Sequence, residues 1–252
     1  MKPACLAVSG MAGQRTILGN HDAGMIGNPN ASWGVTHGNP IWEEAREVAL
    51  RTAPDLLLNV TLNRDKQITG VFAGDLVTAH DAGIAFVRET SMVPVDGLFD
   101  IVITTNSGYP LDMNLYQCGK GLSAAESIVR PGGAIIIAAE CSDGIPDHGL
   151  FGTMLHAARS PQELYDTVMA LPEPQQDQWS AQIQARVQLK ASVYLYSDSF
   201  TDEQIRAALL TPCRDVPATL AALRAEMGPG ARICVLPEGP QTVPYVAPGA
   251  GL

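Results

Sequence analysis

Residues Asn106 to Gly121, reading NSGYPLDMNLYQCGKG, hold a set of side chains that no hydrophobic core requires. Gly108, Tyr109, Tyr116, Gln117 and Lys120 all stand within these sixteen positions. Gln117 and Lys120 are three apart, so on a first helical turn they share one face. An amide and an ammonium on one face can grip the carboxylate and the hydroxyl of a small acid. The N-terminus of a helix adds positive potential to that grip. The chemistry implied is the holding of a small anion.

Four further residues could take part. His21 lies in Leu18-Gly-Asn-His-Asp-Ala-Gly24, expected to be a glycine-bounded loop from which a neutral imidazole can reach a metal. One histidine makes no metal site by itself, so a loop histidine bonded to backbone is the plain alternative. His80 follows Phe-Ala-Gly-Asp and starts a helix, as a structural histidine or as one that touches a nucleotide phosphate. Trp179, in Asp-Gln-Trp-Ser, reads as a core aromatic on a long amphipathic helix. Cys5 reads as a small buried hydrophobe. His148 and His156 read as surface residues.

The elements that must position these groups follow from pattern. The apolar run Asp100–Thr105 ends where the polar loop begins, and a helix is expected from Leu122. The C-terminal end of a strand in an open α/β sheet is where ligands gather. From about residue 93, strands are expected at 101–105, 134–139, 192–196 and 232–236, alternating with helices. Ser160-Pro161-Gln162-Glu163 reads as a capping box with proline at the first helical position. Thr201 and Gln204 repeat that logic, and Gly228 and Gly230 end the helix that Pro217 begins. Cys141–Gly144 and Glu238–Pro240 end two other strands and can wall the same crevice. Residues 93–252 therefore read as an α/β, Rossmann-like parallel-sheet domain.

Residues 1–92 read as a smaller α/β unit. Strands are expected at 55–62 and 69–73 around a turn at 63–67, and helices at 40–52 and 78–89, the first with a Glu43/Arg46 pair on one face. The first forty residues are rich in Gly, Asn and Pro and show no periodicity.

Bulk properties narrow the function. A formal charge of −10 argues against non-specific binding to nucleic acid or to an anionic membrane. Five cysteines without a C-x-x-C pair read as free thiols of a reducing compartment, and no apolar run approaches the ~20 residues that cross a bilayer. A cytoplasmic protein is the expectation. No G-x-G-x-x-G follows an expected strand, which disfavours a Rossmann dehydrogenase.

An ordered series of short motifs carries a resemblance over nearly the whole chain. These are Asn20-His21, NPNA at 28–31, GNP at 38–40, LNV at 58–60, FAGD with Ala79-His80, YPLDMNLYQCGKG, DQW at 177–179 and PEGPQTVPY at 237–245. The series resembles the nickel-dependent lactate racemase family, from the second part of its N-terminal domain through its C-terminal domain. The resemblance implies a nickel-pincer nucleotide as cofactor and a 2-hydroxy acid as substrate. It further implies hydride transfer from C2 of that acid to the cofactor and back on either face. His21 matches the family's nickel ligand. Gln117 and Lys120 match its catalytic substrate contacts, and Tyr116 and Trp179 its substrate-binding walls.

Cys5 falls where the family has the lysine that anchors the cofactor covalently. A thiol cannot make that link stably, so the resemblance implies non-covalent retention or none, with Lys2 the nearest alternative anchor. The family's substrate arginine and two proton-transferring histidines would precede residue 1. Three expectations follow: a fragment, a first half supplied by a separate polypeptide, or a non-catalytic module that binds a small anion or nucleotide.

Overall fold

The computed structural model describes residues 12–247, so the expectation for Cys5 lies outside the described residues. The chain divides into two compact units between Met92 and Val93.

In the first unit, two short helices occupy the stretch expected to lack periodic structure: α1 (Gln14–Asn20) and α2 (Ala23–Gly27). Seven and five residues are too few to show a helical repeat in sequence. Asp22 caps α2 by accepting from Met25 N at 2.7 Å. Asn39 caps α3 (Pro40–Arg51), which has proline at its first position. The buried Asn20 ties α1 to α3, donating to Ile41 O at 3.1 Å and to Glu44 Oε2 at 2.7 Å. Glu43 and Arg46 do not pair as expected. Glu43 accepts from Gly38 N at 2.7 Å, and the Arg46 guanidinium lies 5.5 Å from the centre of the Trp42 ring.

Strands β1 (Leu57–Leu62) and β2 (Ile68–Gly74) form the expected antiparallel hairpin, with Val60 opposite Val71. The helix α4 (Leu76–Ser91), capped by Asp75, packs on one face of it through Phe72 and Phe86. The other face carries Leu58, Val60, Leu62, Ile68 and Val71, all exposed, Leu58 at 66% and Val71 at 59%. Alternation located these strands, but the apolar set turns outward in this unit.

The second unit opens with β3 (Met92–Val95) and β4 (Phe99–Thr105). Then follow α5 (Leu115–Glu126), β5 (Val129–Ala138), α6 (Phe151–Ala157), α7 (Pro161–Met169) and α8 (Gln178–Lys190). The remainder is β6 (Ala191–Tyr196), α9 (Asp202–Ala207), β7 (Thr211–Pro212), α10 (Val216–Met227), β8 (Ile233–Leu236) and β9 (Val243–Val246). Five strands form a parallel sheet in the order β7-β6-β5-β4-β8, the Rossmann-like sheet expected plus the two-residue β7. Strands β3 and β9 make a separate two-stranded pair. The central strand β5 is buried through Ala134, Ile135, Ile136 and Ile137, the signature of a strand covered on both faces.

The capping signals behave unequally. Thr201 and Gln204 form the full reciprocal box on α9. Ser160 accepts from Glu163 N at 3.1 Å, but the Glu163 carboxylate turns to Arg159 N at 2.9 Å instead of closing the box. Gly228, at φ 95°, ends α10.

The chain runs from β4 outward through β5, β6 and β7, and then β8 lies on the opposite side of β4. In open α/β sheets a reversal of this kind marks where ligands gather, here the carboxyl ends of β4 and β8. The helix α5 begins seven residues before the expected Leu122, so Tyr116, Gln117 and Lys120 are helical and not loop residues.

Candidate functional site

Three loops converge at the carboxyl edge of the sheet. Thr105 Oγ1 donates to Pro237 O at 2.7 Å, and the Ser107 hydroxyl donates to Glu238 O. A side chain at Gly239 would overlap the Thr105 carbonyl, so the loop after β8 can approach β4 only through glycine. The loop after β5 is laced to the one before α5. Cys141 N donates to Asp112 O at 2.9 Å, Asp143 N to Met113 O at 2.8 Å and Leu115 N to Gly144 O at 3.0 Å.

The start of α5 is fixed from both sides. Asn114 accepts from Gln117 N at 3.1 Å, which satisfies one of the unpaired amides of the first turn. Asn106, 0% exposed, donates through Nδ2 to Leu111 O and accepts at Oδ1 from Gly121 N at 3.0 Å. Gly121 permits this because a Cβ there would overlap the Thr105 carbonyl.

On that helix the expected groups come together. Lys120 Nζ donates to Gln117 Oε1 at 2.6 Å, so the two share one face as their spacing requires. Trp179, second residue of α8, donates from Nε1 to the Tyr116 hydroxyl at 3.0 Å. The Tyr116 and Phe151 rings meet at right angles, 5.6 Å between centroids. Burial pushes the Tyr116 phenol above the ordinary tyrosine range, while hydrogen bonds from Trp179 and Ser180 pull the other way. The Asp177 charge acts on the same hydroxyl. The Asp177 carboxyl is itself raised by burial, against the opposing pull of the His148 charge and of the Tyr116 hydrogen bond. His148 is exposed, as expected, while Asp177, met in sequence only within a motif, is buried. No local signal announces an electrostatic coupling between positions so distant in the chain.

Beneath α5, Cys118 and Cys141 lie 3.6 Å apart at sulfur, both fully buried. The hydrogen bond with the Cys141 thiol, and burial, hold the Cys118 thiol well above its ordinary value. They are core thiols, not exposed nucleophiles.

In the first unit, His21 caps α1 and adjoins the start of α2, a junction between helices and not the open loop expected. Its Nδ1 lies 3.1 Å from Ile17 O. A carbonyl can only accept, so Nδ1 carries the proton and the lone pair resides on Nε2. Metal-ligating histidines are oriented by this kind of backbone bond. Among the described residues there is no group of three His, Cys, Asp or Glu able to hold a metal ion. His21 could therefore complete a coordination sphere whose other donors belong to a cofactor, but could not build one alone.

His80 is the fifth residue of α4, 6% exposed, and stacks on Trp42 at 6.1 Å between centroids. Its buried Nε2 has no hydrogen-bond partner. Burial lowers its pKa; Asp81 opposes the shift and Arg46 adds to it. A depression of about 300 Å³ beside this stack is lined by His37, Trp42, Glu43, Arg46, Glu47 and Leu50. Among the described residues no helix is long and apolar enough to cross a membrane.

Comparison with known proteins is consistent with this geometry. Residues 96–243 match the family model described as Lactate racemase C-terminal domain. The chain is 36% identical over 232 residues to a lactate racemase of Thermoanaerobacterium thermosaccharolyticum, covering 91% of this chain and 54% of that one. It is 35% identical to a lactate racemase of Lactiplantibacillus plantarum over the same shares. The solved structure of the T. thermosaccharolyticum lactate racemase apoprotein superposes with a TM-score of 0.86 at 34% identity, covering 92% of this chain and 55% of that one. A Thermotoga maritima protein shares the fold alone, with a TM-score of 0.57 at 11% identity. The chain thus spans about half the length of the relatives it matches.

Proposed function

Since the chain belongs to the lactate racemase C-terminal domain family, we propose that it contributes the metal ligand and the substrate grip of a 2-hydroxy acid racemase. The observation that carries this reading is the Gln117–Lys120 pair on the first turns of α5, walled by the hydrogen-bonded Tyr116 and Trp179. An ammonium, a side-chain amide and a helix N-terminus together suit one carboxylate and its neighbouring hydroxyl.

In this reading residues 1–92 are the cofactor-side unit and residues 93–252 the substrate unit. His21 would hold nickel through Nε2, its ring oriented by Ile17, and His80 would face the nucleotide. Imidazole is a good nickel ligand, and sulfur donors from the cofactor would complete a soft set. When bound, the nickel-pincer nucleotide supplies a hydride acceptor. The chain's own residues do the rest assigned to it: Lys120 neutralises the substrate carboxylate, Gln117 fixes the hydroxyl direction, and the aromatic pair excludes water from one side. The base for the hydroxyl proton would come from a further segment homologous to the other half of the relatives, in the same or a separate polypeptide.

The test is nickel content per chain, by elemental mass spectrometry, after co-expression with enzymes that make the cofactor. Near one nickel per chain, lost in His21→Ala with the fold intact by circular dichroism, supports the reading. Equal nickel in wild type and His21→Ala would sink the metal assignment.

A further inference from the structure

The hairpin of β1 and β2 is covered on one face only. Phe72 and Phe86 join it to α4. On the other face Leu58 stands opposite Ala73, Val60 opposite Val71 and Leu62 opposite Ile68, so that face is apolar along its whole length. Its five larger side chains are all at least 41% exposed. A strand face turned to water ordinarily carries polar residues, and apolar residues on both faces mark a sheet that is covered twice. Among the described residues the two strands pair only with each other. A lone two-stranded hairpin is marginal unless something packs on it. Contiguous apolar surface of this kind marks a binding site.

The face has the dimensions of one helix. The 6 residues of β1, at about 3.3 Å each, and two strands about 4.8 Å apart give about 20 Å by 10 Å. That is the footprint of an amphipathic helix of about 13 residues. Two copies of the chain pressed together through this face would bury far less than the roughly 800 Å² per partner of a stable interface. A larger partner, whose contacts extend beyond the hairpin, meets that requirement. The similar lactate racemases contain such a segment: the chain covers 54% of each, so nearly half of their length has no counterpart in the matched residues.

We propose that the outward face of the hairpin is a docking surface for a polypeptide homologous to the unmatched part of the lactate racemases, which lays the apolar side of one helix along Leu58, Val60, Leu62, Ile68 and Val71. The identity of the partner rests on the functional reading above, in which the same segment brings the base for the hydroxyl proton. The apolar face itself does not. Because the contact is hydrophobic, sulfate should strengthen the association and not screen it.

The probe is the unmatched part of the T. thermosaccharolyticum lactate racemase, co-expressed with the full chain as a separate polypeptide. Leu58→Cys and Val71→Cys report on the face, and Leu189→Cys on α8, at an exposed position of the second unit, is the control. Maleimide labelling at each position is read by peptide mass spectrometry. In the chain alone all three should label rapidly at every protein concentration. In the co-purified complex, labelling at 58 and 71 should slow by about tenfold or more while that at 189 is unchanged. Val60→Lys with Val71→Lys should abolish co-purification, because an ammonium would be buried unpaired, with the fold intact by circular dichroism. Failure of the wild-type chain to retain the probe, or undiminished labelling at 58 and 71 within the complex, overturns the proposal. So does labelling of the chain alone that slows as its concentration rises, which would make a second copy the occupant. A chain that takes up nickel with this face unprotected keeps the functional reading and loses the docking surface, and a protected face without nickel does the reverse.

Discussion

Asn114 offers a perturbation in which stability and anion binding should part company. Its side chain caps α5 by accepting from Gln117 N at 3.1 Å, and the residue is buried. Asn114→Ala removes that acceptor and should cost about 1–2 kcal/mol, the upper part of the range for a lost cap because water has little access here. Asn114→Asp keeps the acceptor and places a negative charge at the positive end of the helix dipole, so stability should stay within about 0.5 kcal/mol of wild type. The same charge opposes an anion on Gln117 and Lys120. At a separation of roughly 7 Å and an effective dielectric constant of about 40, the repulsion is about 1.2 kcal/mol, a roughly sevenfold loss of affinity. Urea unfolding would be followed by Trp179 fluorescence, with Trp33 and Trp42 replaced by Phe, and binding by lactate titration. Asn114→Ala should thus be the less stable variant and Asn114→Asp the weaker binder. If Asn114→Asp binds lactate as tightly as wild type, the anion does not sit at this helix terminus and the reasoning fails.

Two further outcomes follow from the first unit. Burial lowers the His80 pKa, so the folded form resists protonation more than the unfolded form does. Its stabilising contribution is full above the unfolded value near 6.5 and declines as pH falls through the folded value. His80→Gln should flatten that acid loss in urea unfolding followed by Trp42 fluorescence; an unchanged slope would dissociate His80 from it. On the exposed hairpin face, Val60→Thr with Val71→Thr should alter stability by less than about 1 kcal/mol, since neither side chain is in the core. The double variant should also bind less of a hydrophobic dye, and undiminished dye binding would mean that the apolar surface lies elsewhere.

The α/β class and most strands were legible because buried strands are short runs of Ile and Val between turn residues, as 134–137 shows. The start of α5 was not. Gly119 and Gly121 each lower helix propensity by about 1 kcal/mol relative to alanine and hid the helix. Gly121 stands there because the helix axis passes against the Thr105 carbonyl, a tertiary demand invisible along the chain. One signal was available: Asn114 followed three residues later by Gln117 is the spacing of an N-terminal cap. In the candidate site, the Gln117–Lys120 contact was legible because helical spacing enforces it. The Trp179–Tyr116 bond joins two separate helices, and Trp179 was given a place in the site only through the family resemblance.

A chain carrying a formal charge of −10 that collects an anion must do so locally. At physiological salt the screening length is about 8 Å, so most of that charge is little felt inside the crevice. What counts is the first shell, and there the balance is close. Lys120 and the N-terminus of α5 favour the acid, while the Asp177 carboxylate, whose charge acts on Tyr116, stands at the N-cap of α8. Burial that raises the proton affinity of Asp177 softens this opposition.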